Sequence, residues 1–155
     1  MSASLFFEYF YQESRDLLAD IGRIAEGLRF IDKPDVHQEI EFTQCIQKLQ
    51  RLIGGMASIG FEMYAPVSHK TSQLAQQCSQ STGYSIKNAV AAITTIVTDF
   101  NMYFVSMDKV KEIEVLVPRI DKKIDTCMEE LHLKKRSTIN SQSEIDDIMK
   151  MFGQV

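Results

Sequence analysis

Gln47-Lys-Leu-Gln-Arg-Leu-Ile-Gly-Gly-Met-Ala-Ser-Ile-Gly-Phe61 is the stretch whose reading decides the fold, because two periodic patterns with different physical jobs overlap in it. Phe42, Ile46, Leu49, Ile53 and Met56 recur at the spacing of one buried stripe of an α-helix. Thr43, Gln47, Gln50 and Gly54 repeat at the same intervals on the adjoining polar face. Glycine inside a helix costs about 1 kcal/mol relative to alanine. Gly54 and Gly55 nevertheless stand together, with no Pro or Asn beside them to mark a turn. One use for such a pair is a backbone left bare on one side, so that a second protein approaches closely where Gln50 points outward, with Gly54, Ala57 and Ser58 as its contact surface.

Working outward, the stripes on either side are also helical. Ser4 is placed to cap a first helix whose apolar face includes Phe6, Phe10, Leu17, Ile21, Ile24, Leu28 and Ile31. Asp32-Lys-Pro-Asp35 breaks it, and Asp35 with Gln38 forms a capping box for the helix that carries Gln50. A third helix is expected from Gly60-Phe61 to about Thr82, with Pro66 tolerated in its first turn and Gly83 as its end. The spacing predicts a fourth helix from about Ser85 to Met107, burying Ile86, Val90, Ile93, Val97, Phe100 and Phe104. A fifth is expected around Lys109 to Leu133, on Val110, Ile113, Leu116, Ile120, Ile124, Cys127 and Leu131, with Pro118 kinking or dividing it. With no β-alternation anywhere, the economical architecture is an all-α bundle over residues 1–133.

Composition narrows the function classes. A chain of 155 residues with 45% hydrophobic content supports one domain with a real core. Its net charge of −4, without a basic face, argues against nucleic acid as the main partner. Cys45, Cys78 and Cys127 are widely spaced and odd in number, which suits a reducing cytoplasm better than a disulfide framework or a zinc site. The N-terminus does not read as a signal peptide. The most apolar segment, 89–97, is half the length of a membrane span and holds Thr94 and Thr95, so no membrane insertion is expected.

The Gly-Gly and the closing Gly-Phe carry a resemblance. In histidine phosphotransfer (HPt) domains, including the one at the front of CheA-type chemotaxis kinases, a phospho-accepting His is followed by a hydrophobic residue, Lys, Gly, small residues and Gly-Phe. This chain is similar, with the glycines at Gly54 and Gly55 and the closing pair at Gly60 and Phe61. The accepting His falls on Gln50, and the family's Lys falls on Ile53. An amide does not carry a phosphoryl group as imidazole does, so the resemblance implies the HPt-like bundle without its phosphotransfer. The Phe-rich acidic start of the first helix (Phe6, Glu13, Leu17 and Leu18) and a non-phosphorylated His at His69 also resemble the family.

After Leu133 the character changes. Residues 134–142 are polar, lack a stripe and read as a flexible linker that includes Lys134, Lys135 and Arg136. Within 143–155, Ile145, Ile148, Met149 and Phe152 lie at i, i+3, i+4 and i+7, and Ser141 with Glu144 makes a capping box ahead of them. So short a helix folds by docking, onto its own bundle or into a partner's groove. The run 141–149 resembles the peptide with which the flagellar switch protein FliM catches phosphorylated CheY, and also the C-terminal peptide of the CheY phosphatase CheZ. Ile145, Ile148, Met149 and Phe152 would enter an apolar groove while Glu144, Asp146 and Asp147 meet a basic rim.

Both resemblances imply one partner, a CheY-like response regulator. Removing its phosphoryl group requires a water in line with phosphorus, and a Gln amide orients such a water by donating and accepting hydrogen bonds. Gln50 is the first candidate and Gln47 the second. No cofactor is expected on this chain, the Mg2+ belonging to the regulator. CheZ pairs its Gln with an acid one turn earlier, where this chain has Ile46, and Glu41 is too far round the helix to substitute. Three readings follow: a phosphatase of the regulator, a non-catalytic module that sequesters or localises it, and a phosphotransfer protein using His37, His69 or His132. His37 is expected in a loop and His132 at a helix end. A secretion chaperone or coiled-coil scaffold would instead present a homodimer face on the first or fourth helix.

Overall fold

The computed structural model describes residues 3–103 and 114–131. Among these residues the chain is all-helical: α1 (Ala3–Gly27), α2 (Val36–Ser58), a 3-10 turn (Glu62–Tyr64), α3 (Ala65–Ser79), α4 (Lys87–Tyr103) and α5 (Val117–Leu131). The principal contacts run α1 to α2, α2 to α3, α3 to α5, α5 to α4 and α4 back to α1, so five helices close a ring around one core.

Helix α2 starts at a side-chain cap. The Asp35 carboxylate accepts from the Gln38 N–H at 2.8 Å while the Gln38 side chain accepts from the Asp35 N–H at 2.9 Å, the capping box expected from the sequence. Phe42, Ile46, Leu49, Ile53 and Met56 are each 0% exposed, and Cys45 and Leu52 widen that stripe. Burying one such side chain stabilises by about 1.5–3 kcal/mol, whereas each helix glycine costs about 1 kcal/mol. Tertiary burial therefore outweighs the weak local propensity at Gly54 and Gly55.

The other boundaries differ from the sequence expectations by a turn or less. Helix α1 begins at Ala3, so Ser4 stands inside the helix and not at its cap, and it ends at Gly27, with Ile31 in the tight turns that follow. Phe10, Leu17, Ile21 and Leu28 are buried as expected, and Ile24 and Ile31 pack half-buried against the core. Gly60 takes φ +123°, a conformation that favours glycine, and turns the chain so that Phe61 is buried. Pro66 occupies the first turn of α3, where its missing N–H costs nothing. Helix α3 stops at Ser79, not Thr82, and Gly83, at φ +72°, makes the turn into α4.

The predicted core of α4 is buried at Ile86, Val90, Ile93, Val97 and Phe100, and that of α5 at Leu116, Ile120, Ile124, Cys127 and Leu131. Pro118 divides the fifth helical segment: Glu114 and Val115 are helical, Leu116 is a turn, and α5 restarts at Val117. Phe104, Val110 and Ile113 lie outside the described residues, as do the side chain of Phe6, His132, the linker and the 143–155 segment. Among the described residues no helix is long and apolar enough to cross a membrane.

A charge-free face on α2 and α3

Gln47 and Gln50 leave α2 on the side towards α3, where the buried stripe gives way to the surface. Gln47 is exposed and Gln50 half-buried, with Thr43 and Gly54 also half-buried above and below them. A side chain at Gly54 would place its Cβ 3.3 Å from Ser68 Oγ of α3 and 3.9 Å from Gln50 Nε2. The Gln50 amide thus lies at the seam where the two helices touch. Ser58 Oγ donates to the Gly54 carbonyl at 2.9 Å, and Ala57 is half-buried beside it.

The glycines have uses inside the bundle. At Gly55 an added Cβ would come within 3.0 Å of Phe10 Cε2, so α1 occupies that side, and α3 occupies the side at Gly54. Close helix packing within the chain accounts for the pair.

Electrostatics then distinguish this surface from the rest. Between Thr43 and Ser58, and between Ala65 and Ser79, the sequence holds no Asp or Glu, and only Lys48, Arg51 and Lys70 carry a full charge. Each turns to a carboxylate on a neighbouring helix. Lys48 Nζ lies 3.4 Å from Asp20, and Arg51 Nη2 donates to Glu13 at 2.6 Å, both carboxylates on α1. Lys70 Nζ reaches Asp121 at 2.7 Å and Asp125 at 2.8 Å on α5, and these two carboxylates raise its pKa. What remains on the α2–α3 seam is Thr, Gln and Ser. Amides and hydroxyls there donate and accept without a net field.

Beside Gln47 the seam opens into a groove of about 350 Å³ between the first half of α2 and the end of α3. Val36, Ile40, Thr43, Gln44 and Gln47 form one wall, and Cys78, Ser79, Ser81 and Thr82 the other, with Glu39 at its end. Glu39 Oε1 accepts from the Gly83 N–H at 3.4 Å. Tyr84 lies among Thr43, Cys78 and Glu39 with its hydroxyl buried and without a hydrogen bond of good geometry; burial pushes its pKa up to about 12. Cys78 is buried, which pushes its thiol up to about 12 and leaves it unreactive at neutral pH.

The histidines occupy other surfaces. His69 is exposed on α3, its Nε2 3.3 Å from the Gln73 amide nitrogen. His37 is in the first turn of α2, not in a loop, and its Nε2 lies 2.9 Å from Glu41. Ile46, one turn before Gln50, is 0% exposed and belongs to the core. The periodicity of α2 alone shows neither the groove nor the Ser68 contact. The signal for them is the row Ser68, Ser72, Ala75 and Ser79, small residues at helical spacing on α3. The chain matches no protein-family model, no curated protein and no solved structure.

Proposed function

We propose that this protein binds a phosphorylated CheY-like response regulator and promotes loss of its phosphoryl group, with the α2–α3 face set against the regulator's active site. The observation that carries the reading is the half-buried Gln50 amide on a surface from which every formal charge has been drawn to a neighbouring helix. An aspartyl-phosphate site is strongly anionic. A carboxylate brought within 4 Å of it would be repelled by roughly 1–4 kcal/mol per charge at surface dielectrics, whereas a Gln amide enters without that cost. Gln50 would orient the attacking water towards phosphorus, and Gln47, one turn back on the same face, is the second residue for that role. Mg2+ would be held by the regulator. In this reading residues 143–155 form the tethered helix that captures the regulator, and the linker places it at an effective concentration in the mM range.

The alternative, a module that holds the regulator without catalysis, is favoured by Ile46. Its burial means that no acid stands one turn before Gln50 to assist the water. The rate of phosphate loss from a phosphorylated CheY-type regulator separates the two. With the whole protein the rate rises; Gln50→Ala lowers the acceleration by about 100-fold or more, as loss of one positioned hydrogen-bonding group does elsewhere. Truncation after Asn140 leaves the maximal rate and weakens apparent affinity by about 100-fold. An unchanged rate with retained binding selects the non-catalytic module.

A further inference from the structure

Among the described residues, six large apolar side chains are exposed away from the chain's first residues: Phe30, Val36, Ile40, Met63, Met102 and Val115. Of these, Val36 at 72% and Ile40 at 52% exposure share one wall of the groove beside Gln47. The rest of the groove is neutral and polar except for Glu39, whose carboxylate is turned to the Gly83 N–H. Among the described residues no Lys or Arg lines it. It is therefore a seat for an apolar helix stripe, and it lacks the basic rim that would hold that helix's acids.

The chain itself arrives at this end of the bundle. Glu130 Oε2 accepts from Asn88 Nδ2 at 2.9 Å, which puts the end of α5 beside the first turn of α4. The Ile86 N–H donates to the Asp32 carbonyl at 3.0 Å, tying the start of α4 to the connection that precedes α2. Leu131 thus stands at the end where the groove opens, and 24 residues follow it. The eleven residues of 132–142 span up to roughly 36 Å when extended, enough to return residues 143–155 to the groove.

Resting on the reading of 143–155 as a docking helix, we infer that the groove is the resting seat of this chain's own residues 143–155, with Ile145, Ile148 and Phe152 against Val36 and Ile40. On a helix carrying that stripe, Asp146 and Asp147 fall on the opposite side, away from Glu39. A short tether supplies an effective concentration in the mM range, so a seat with a Kd of about 1 mM is already half filled. A regulator with a basic rim adds contacts to the tail's acids that the groove lacks. Such a regulator outcompetes the groove for the tail.

The full-length 15N-labelled chain tests this without any regulator. Ile148→Asp with Phe152→Asp shifts the amide resonances of Val36, Ile40, Thr43, Ser81 and Thr82 and leaves those of α5 in place. Reciprocally, Ile40→Glu, at a position exposed enough to leave the fold intact, moves the amides of 145–152 to random-coil values and removes about two- to tenfold exchange protection there. The shifts are the same at 20 and 500 µM protein. Groove amides unmoved by the tail substitutions, or tail amides unmoved by Ile40→Glu, overturn the inference. So do shifts that grow with concentration, which assign the groove to a second copy's tail. Failure of the phosphate-loss experiment alone would leave these resonance shifts in place.

Discussion

Gly54 and Gly55 are adjacent in sequence yet meet different neighbours, and that difference predicts opposite responses to one added methyl. At Gly54 the new Cβ meets the hydroxyl of Ser68 at 3.3 Å, a half-buried side chain that can rotate away. Gly54→Ala then gains most of the alanine propensity and stabilises by about 0.5–1 kcal/mol. At Gly55 the Cβ meets the Phe10 ring at 3.0 Å, and Phe10 is only 8% exposed. Moving a packed ring costs about 1–3 kcal/mol, so Gly55→Ala is destabilising despite the same propensity gain. Urea titrations of the two variants check the order. The glycine pair was legible in the sequence as a place needing close approach. What approaches was not, because Phe10 lies 45 positions upstream and its contact depends on how α1 crosses α2.

Helices α4 and α5 are held by more than their apolar stripes. Asp99 of α4 is 7% exposed and pairs with Lys123, with Arg119 Nη1 at 3.5 Å, both on α5. Breaking a fully buried pair costs about 3–5 kcal/mol because the surviving ion is stranded. Here the side chains of Lys123 and Arg119 are 27% and 58% exposed and regain water. Asp99→Asn is therefore expected to cost about 1.5–3 kcal/mol, the range of a hydrogen bond to a charged group. The midpoint of urea unfolding should fall with its slope unchanged. At this scale the sequence was highly informative: the capping box at Asp35 and Gln38, the break at Pro34, Pro66 in a first turn and the division near Pro118 all act within four or five residues. The short discrepancies, α3 ending at Ser79 and α1 at Gly27, fall where no capping residue pins the end.

The whole molecule encloses its three thiols, and this predicts a pH limit. Burial pushes Cys45, Cys78 and Cys127 up to about 12 from 9.0. Because the folded pKa lies above the unfolded one, the unfolded chain loses protons first as pH rises. The contribution to stability is full below about pH 9 and is lost progressively between 9 and 12. The slope approaches 1.4 kcal/mol per pH unit for each thiol, roughly 4 kcal/mol per unit for all three. Urea unfolding at pH 7.5, 9 and 10 should show a plateau followed by a steep fall. A thiol reagent at pH 8 should titrate no cysteine in the native protein and three in denaturant. The sequence argued against a disulfide framework from spacing; it did not show that all three thiols face one core.

Period, caps, glycines and prolines determined by themselves that this chain is an all-α bundle, which side chains are buried on α2, α4 and α5, and where α2 begins. These are short-range properties, set by a repeat of 3.6 residues and by hydrogen bonds that close within one turn. The tertiary structure alone decided the order of the ring, the neighbours of Gly54 and Gly55, the direction in which Lys48, Arg51 and Lys70 turn, and the groove beside Gln47. Those depend on which helix lies alongside which, and a charged side chain of several rotatable bonds takes whichever carboxylate that packing brings within reach.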